Sequence, residues 1–255
     1  MRSPLKNTAD INYIDLLDSI LPAECPVKTF LFFSGNLEMG LQSRNHAVTA
    51  HTNKYVIFEF WKCASADPFN IIQKASWLHK KIDVNLIYLF QENWPTYKDP
   101  YVRSALFVLL NMYSQQGSLS SGHFSLEGYS ANLLDKLRTL YQIDKKINIA
   151  YHHDDNCLDC FDKLKIEEEV LIFPVGRFSH NWLDHGKSTG FEEYGVNHKK
   201  LKQNLEQSGA KFIVCYDKHP KLFELYSGYN IKFVSKYGIE TSDYESSSHL
   251  MIYNF

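Results

Sequence analysis

The sequence predicts an α/β fold: a mixed, mostly parallel sheet with helices on both faces. Three observations point there. Short, mostly apolar β-prone runs recur at 27–33 (VKTFLFF), 170–173 (VLIF), 212–216 (FIVCY) and 250–253 (LMIY), as expected of strands buried on both sides. Segments with apolar residues at helical spacing separate most of them, which is the alternation of a parallel sheet. A helical stretch in the middle of the chain breaks that alternation and marks an insertion.

Each element has its own signal. The first run ends at Ser34-Gly35-Asn36, a turn. Residues 48–50 give a second short strand, and 54–61 carry apolar residues at helical spacing. Residues 75–90 and 102–113 are also expected as helices, the latter with Ala105, Leu106, Leu109 and Leu110 on one face. A Gly/Ser-rich loop follows at 114–125 (SQQGSLSSGHFS), then a helix at 132–141 and a strand at 146–151. After strand 170–173 comes a polar loop at 177–193. Helix 197–207, strand 212–216, helix 220–226 and strands 231–235 and 250–253 complete the order, the last strands antiparallel. The expected organisation is an α/β body over 1–64 and 146–255, with 65–145 as an inserted helical lobe.

Composition narrows the functional classes. Of 255 residues, 44% are hydrophobic and 15% aromatic, which excludes a disordered chain. The formal charge of −2 argues against an extended phosphate-binding surface. Lysines 80, 81, 145, 146, 199 and 200 fall in pairs that read as solvated helix faces. No apolar run reaches the ~20 residues of a membrane span, so no membrane partner is expected. The first ten residues lack the apolar centre of a secretion signal. Five scattered cysteines, an odd number, read as reduced thiols and a cytoplasmic setting. Cys157 and Cys160 follow His152 and His153 at a spacing that suits zinc. No second ligand pair of comparable spacing exists elsewhere, so these four residues read as structural and no metal is expected.

Several longer stretches, in order, resemble the Dam-type adenine-N6 DNA methyltransferases, above all their phage-borne forms. Pro4-Leu5-Lys6 is similar to the family's opening "PLKWxGGK". TFLFFSGN, which ends at Asn36, lies where the family has a "DPFxGSGN"-like turn, with Phe33 in place of a glycine. HTNKYVIFEFW, which begins at His51, is similar to "DxNxxLIxFW", with His51 replacing the acid. LLNMYSQQGSLSSGHFS (109–125) resembles "LNRxSFSGxxxSGGFS", and HLMIYNF resembles the closing strand "EVLIxNY". The resemblance implies a Rossmann-like, S-adenosylmethionine-dependent methyltransferase fold.

At the positions that carry the family's chemistry the chain departs from it. The catalytic tetrapeptide, an acid, two prolines and an aromatic, is here Phe173-Pro174-Val175-Gly176. In the family that acid and a proline carbonyl accept hydrogen bonds from the target amine, and the aromatic stacks on the flipped base. A phenyl ring at 173 accepts no such bond, and Gly176 offers no ring. Losing one aimed acceptor typically costs about 2.7–4 kcal/mol of transition-state stabilisation. In the donor pocket, Ser34, Gly35, Asn36 and Asp154 match the pattern. Phe33 would fill the close approach that glycine permits, and neutral His51 cannot grip two ribose hydroxyls as a carboxylate does.

The expectation is therefore a catalytically inactive methyltransferase homologue without a bound cofactor, serving as a binding or assembly subunit for a protein partner. If encoded by a phage it would reside in the host cytoplasm. Arg103, Asn111, Gln115 and Gln116, within the stretch corresponding to the target-recognition region, are candidates for contacting DNA. Phe178, Trp182, Phe191 and Tyr194 are candidates for a protein interface. Two alternatives stand beside this reading. One is a divergent, active adenine methyltransferase that binds S-adenosylmethionine and recruits Asp154, Asp155 or Asp184 as the missing acceptor. The other is a structural virion or scaffold component.

Overall fold

The computed structural model describes residues 3–5, 12–114, 124–141, 147–153, 168–176 and 196–255. Nine helices and eight strands occur among them, beside two short 3-10 turns. They are α1 (Ile14–Ile20), β1 (Val27–Thr29), α2 (Asn36–Gln42), β2 (Val48–Thr52), α3 (Tyr55–Ala66), α4 (Pro68–His79), α5 (Val84–Asn93), α6 (Pro100–Tyr113), α7 (Ala131–Tyr141), β3 (Asn148–Tyr151), β4 (Val170–Gly176), α8 (His198–Ser208), β5 (Lys211–Asp217), α9 (Lys221–Leu225), β6 (Asn230–Val234), β7 (Glu240–Thr241) and β8 (His249–Tyr253).

The strands form one sheet in the order β3-β2-β1-β4-β5-β8-β6-β7. β3 to β5 run parallel, while β8 pairs antiparallel with both β5 and β6. The 3-2-1-4-5 portion is the order of a doubly wound sheet, with its switch point between β1 and β4. Alternate residues of the central strands feed two separate cores. Leu171, Phe173, Phe212, Val214, Leu250 and Ile252 pack under α8 and α9. Val170, Ile172, Ile213, Cys215 and Met251 pack under α1 and α2. Double-sided burial explains why these strands read as unbroken apolar runs rather than alternating ones.

Four sequence expectations change. The run at 27–33 keeps regular strand register only as far as Thr29, because Leu31, with φ 57°, breaks it, although the Phe32 N–H still donates to the His51 carbonyl at 3.3 Å. The single helix expected at 75–90 is two, α4 and α5. The side chain of Asp83 accepts the Leu86 N–H at 2.8 Å and caps the second. Helices α1 and α2 were not expected. α3 continues to Ala66, across the expected boundary at residue 64, so sheet and lobe share a helix.

The lobe helices α4 to α7 pack with α3 around Phe60, Trp61, Ile71, Trp94, Phe107 and Leu137, in a core that also holds Phe32 and Ala50 from the sheet. A nearly buried ion pair pins α6 to α3. Arg103 donates from Nε to Glu59 Oε2 at 2.6 Å, and from Nη2 to the other carboxylate oxygen. Its Nη1 is bound to the Tyr97 carbonyl. The Glu59 side chain is only 8% exposed, so removing its partner strands a carboxylate away from water. Arg103→Ala is expected to lower the unfolding free energy by about 3–5 kcal/mol. The double variant Glu59→Leu/Arg103→Met should lose less. Urea denaturation of the two proteins measures the difference.

Candidate functional site

In a doubly wound sheet, ligands lie outside the carboxyl ends of the strands, at the switch point. Here that edge is formed by Phe30 to Gly35 after β1, His51 and Thr52 in β2, His152 after β3 and Phe173 to Gly176 in β4. Rings occupy it. Phe173 stacks on Phe30 with centroids 4.3 Å apart and planes 5° apart. Phe30 stacks on His51 at 4.9 Å and 15°. His51 and His152 are 10° from parallel with centroids 5.1 Å apart, and His51 Nδ1 lies 2.8 Å from His152 Nε2. A 2.8 Å contact between ring atoms accounts for most of that separation, so the two imidazoles meet edge to edge in an N–H···N hydrogen bond. The row spans β4, β1, β2 and β3.

Phe173 is completely buried and His51 is 3% exposed. Burial, with the His152 imidazole and the Lys28 ammonium adding to it, pulls the His51 pKa down to about 3. His51 is therefore a neutral ring, and its Nε2 has no hydrogen-bond partner among the described residues. A sugar hydroxyl cannot reach it without opening the row. The tetrapeptide itself closes β4. Pro174, which has no N–H to give, lies beyond the last β1–β4 pair and pairs with β5 alone. A bulge follows, and Gly176 takes φ 71°.

The glycine turn is closed by another ring. Gly35 adopts φ 75°, and a Cβ there would lie 2.7 Å from the Trp61 side chain. Trp61 Nε1 donates to the Phe33 carbonyl at 2.8 Å. The expectation that Phe33 fills this approach is thus corrected: Phe33 leans toward the lobe, 6.1 Å from Phe107, and the indole of Trp61 lies against the turn. Asn36 Oδ1 accepts from the backbone of Ser3 at 2.7 Å, and Ser34 Oγ lies 3.4 Å from the Asn36 N–H. The turn binds its own chain.

Other expected residues separate. Arg103 is committed to Glu59, so meeting a phosphate would first require leaving that carboxylate. Asn111 is wholly buried in α6, where no base edge can reach it. Of the zinc-spaced cluster, His152 belongs to the ring row, while exposed His153 meets Tyr151 edge-on with centroids 4.8 Å apart. Among the described residues no three potential metal ligands come together. Asp154, Asp155, Cys157, Cys160, Gln115, Gln116, Asp184, Phe178, Trp182, Phe191, Tyr194, Lys145 and Lys146 lie outside the described residues.

Two buried polar groups had no individual signal in the sequence. Glu38, in the first turn of α2, is 3% exposed and accepts from Thr29 Oγ1 at 2.6 Å; burial raises its pKa. His198 begins α8, after Asn197, whose side chain caps the helix by accepting the Lys200 N–H at 3.0 Å. Its Nδ1 lies 3.1 Å from the Tyr216 hydroxyl, itself 3.3 Å from that of Tyr226. Burial, with a contribution from His219, pulls the His198 pKa down to about 4.

No protein-family model matches this chain, and no curated protein matches it. No helix among the described residues is long and apolar enough to cross a membrane.

Gly35→Ala forces a side chain into a left-handed backbone position and against the indole. It should destabilise the fold by about 2 kcal/mol or more, read by urea unfolding. His51 and His198 have folded pKa values below the free value of 6.5. The unfolded chain therefore takes up protons that the folded chain refuses. Stability is full above pH 6.5 and falls as the pH drops toward about 4. Each ring costs up to about 1.4 kcal/mol per pH unit once the unfolded ring is mostly protonated, so the pair costs about 3 kcal/mol between pH 6.5 and about pH 5. Glu38, with its raised pKa, acts in the opposite sense where it titrates. Urea midpoints at about pH 7.5 and 5 should show the fall, and His51→Gln should roughly halve it.

Proposed function

We propose that this chain is a methyltransferase-like scaffold without methyltransferase chemistry, acting as a binding or assembly subunit for a protein partner. One observation carries the reading: the two places where the Dam-type resemblance calls for a sulfonium donor and an acceptor for the target amine hold hydrocarbon. Trp61 lies against the Gly35 turn at a distance that leaves no room even for a methyl group. Phe173 is buried in a stack with Phe30 rather than turned toward a ligand. The order of the parallel strands, with a reversed final strand wedged between β5 and β6, is compatible with the Rossmann-like fold that the resemblance implies.

The chemistry argues in the same direction. Methylating a weakly nucleophilic amine needs aimed acceptors in a closed, dry site. Among the described residues at this edge, His51 is a buried, neutral imidazole held within the ring row. A carboxylate gripping the donor's ribose has no counterpart at His51. S-adenosylmethionine would have to displace an indole and a phenylalanine stack, at a cost comparable to removing core aromatics, about 3–5 kcal/mol each.

Isothermal titration with millimolar S-adenosylmethionine, beside a labelled methyl-transfer assay on DNA, tests this. The expected result is no binding heat, no thermal stabilisation and no transferred label. Saturable binding that is lost on changing Gly35 or His51, or methylation of adenine by the pure protein, overturns it in favour of a divergent enzyme.

A further inference from the structure

Away from the strand ends, the lobe carries a stripe of exposed rings and cations. Along α4, Phe69, Gln73 and Trp77 are exposed at successive helical turns, with exposed Lys80 and Lys81 just beyond the helix. Phe69 is 53% and Trp77 57% exposed. Each ring has a cation beside it: Lys81 Nζ lies 3.8 Å from the Trp77 ring centroid, and the Arg138 guanidinium, from α7, lies 5.9 Å from that of Phe69. Arg138 also pairs with Asp135 at 3.1 Å, a pair more than half exposed on both sides and therefore screened by salt.

We propose that this α4–α7 stripe binds single-stranded nucleic acid, with bases stacked on Phe69 and Trp77 and phosphates held by Lys80, Lys81 and Arg138. The inference uses α4 and α7 alone and stands apart from the methyltransferase reading. The two rings are eight residues apart, about 12 Å along the axis, so each serves a different base. Stacking a base on an exposed aromatic is worth more than a solvated cation–π contact. The cations can therefore leave the rings and turn to the phosphates. Gln73, between the rings, offers both a donor and an acceptor to a base edge. A duplex hides its base faces, so only an unpaired strand uses both rings. A protein-docking centre is depleted of charge, whereas here cations flank both rings and the residue between them is polar.

The test is binding of a fluorescent oligothymidylate, followed by anisotropy and by tryptophan emission. Trp61 and Trp94 are 2% and 1% exposed, which leaves Trp77 as the accessible indole among the described residues. Binding should quench emission. Trp77→Phe should abolish the quench while retaining affinity, since phenylalanine also stacks. Trp77→Ala and Phe69→Ala should each weaken binding about tenfold. Lys80→Ala/Lys81→Ala should flatten the slope of log affinity against log salt by about 1.4. Circular dichroism checks that these surface variants remain folded. The proposal fails if no oligonucleotide binds at about 50 mM salt, or if both ring-to-alanine variants bind undiminished. It also fails if blunt duplex binds as well as single strand, or if polyglutamate is preferred over the oligonucleotide.

Discussion

The row of rings from Phe173 through Phe30 and His51 to His152 is the contact on which this architecture turns. A doubly wound sheet splits at its switch point because the crossovers on either side leave in opposite directions, and the gap is normally where a ligand sits. Here four side chains, in or just after four neighbouring strands, close that edge by stacking and by one imidazole–imidazole hydrogen bond. The row depends on electrical neutrality. A protonated His51 would be a buried cation near Lys28, and the displaced pKa shows how strongly the surroundings oppose it. Thus the same burial that makes the row a good core makes His51 a poor ligand for anything arriving from solvent.

The glycine turn shows the same exchange in another form. Gly35 keeps the left-handed backbone that lets a strand run sharply into a helix. In a binding loop the missing side chain leaves room for a ligand; here the room belongs to Trp61, anchored by its bond to the Phe33 carbonyl. Neighbouring Asn36 holds Ser3, so the N-terminal segment is stitched to the turn by atoms that a ligand would otherwise use. Neither contact is conspicuous alone. Together they turn a potential cleft into packed interior.

Much of the fold was legible because apolar runs and helical spacing are direct consequences of burial. The strands around 48–52, 170–176, 211–217 and 249–253 and the helix ending at Tyr113 follow from pattern alone. What escaped was set by tertiary context. α2 begins at a turn whose glycine signals a bend but not the helix after it, and α1 is a short helix with a single fully buried residue, Leu17. The break between α4 and α5 was written in Asp83, a cap that the apolar periodicity overran. At the strand ends, the sequence singled out Phe173, which lies there stacked on Phe30. It did not reveal which ring meets the glycine turn, because Phe33 and Trp61 are 28 residues apart and only the packing of α3 brings the indole in. Likewise the His51–His152 bond joins residues 101 apart in the chain.

Arg103 and the α4 stripe show why residue type alone cannot place a function. Arginine in a lobe is a plausible phosphate contact until its neighbours are known. Glu59 lies one helix away and is too buried to be left unpaired, so the guanidinium is fixed by the cost of abandoning a carboxylate. Lys81 faces the opposite balance. Its partner is the face of an exposed ring, a contact weak enough to exchange for a phosphate, and its ammonium stays in water throughout. Burial decides between them: a charge whose partner is desolvated holds the structure together, and a charge whose partner is wet remains available. By that criterion the proposed binding stripe lies on the outer side of α4, while Trp61 and Phe173 pack against the strand ends.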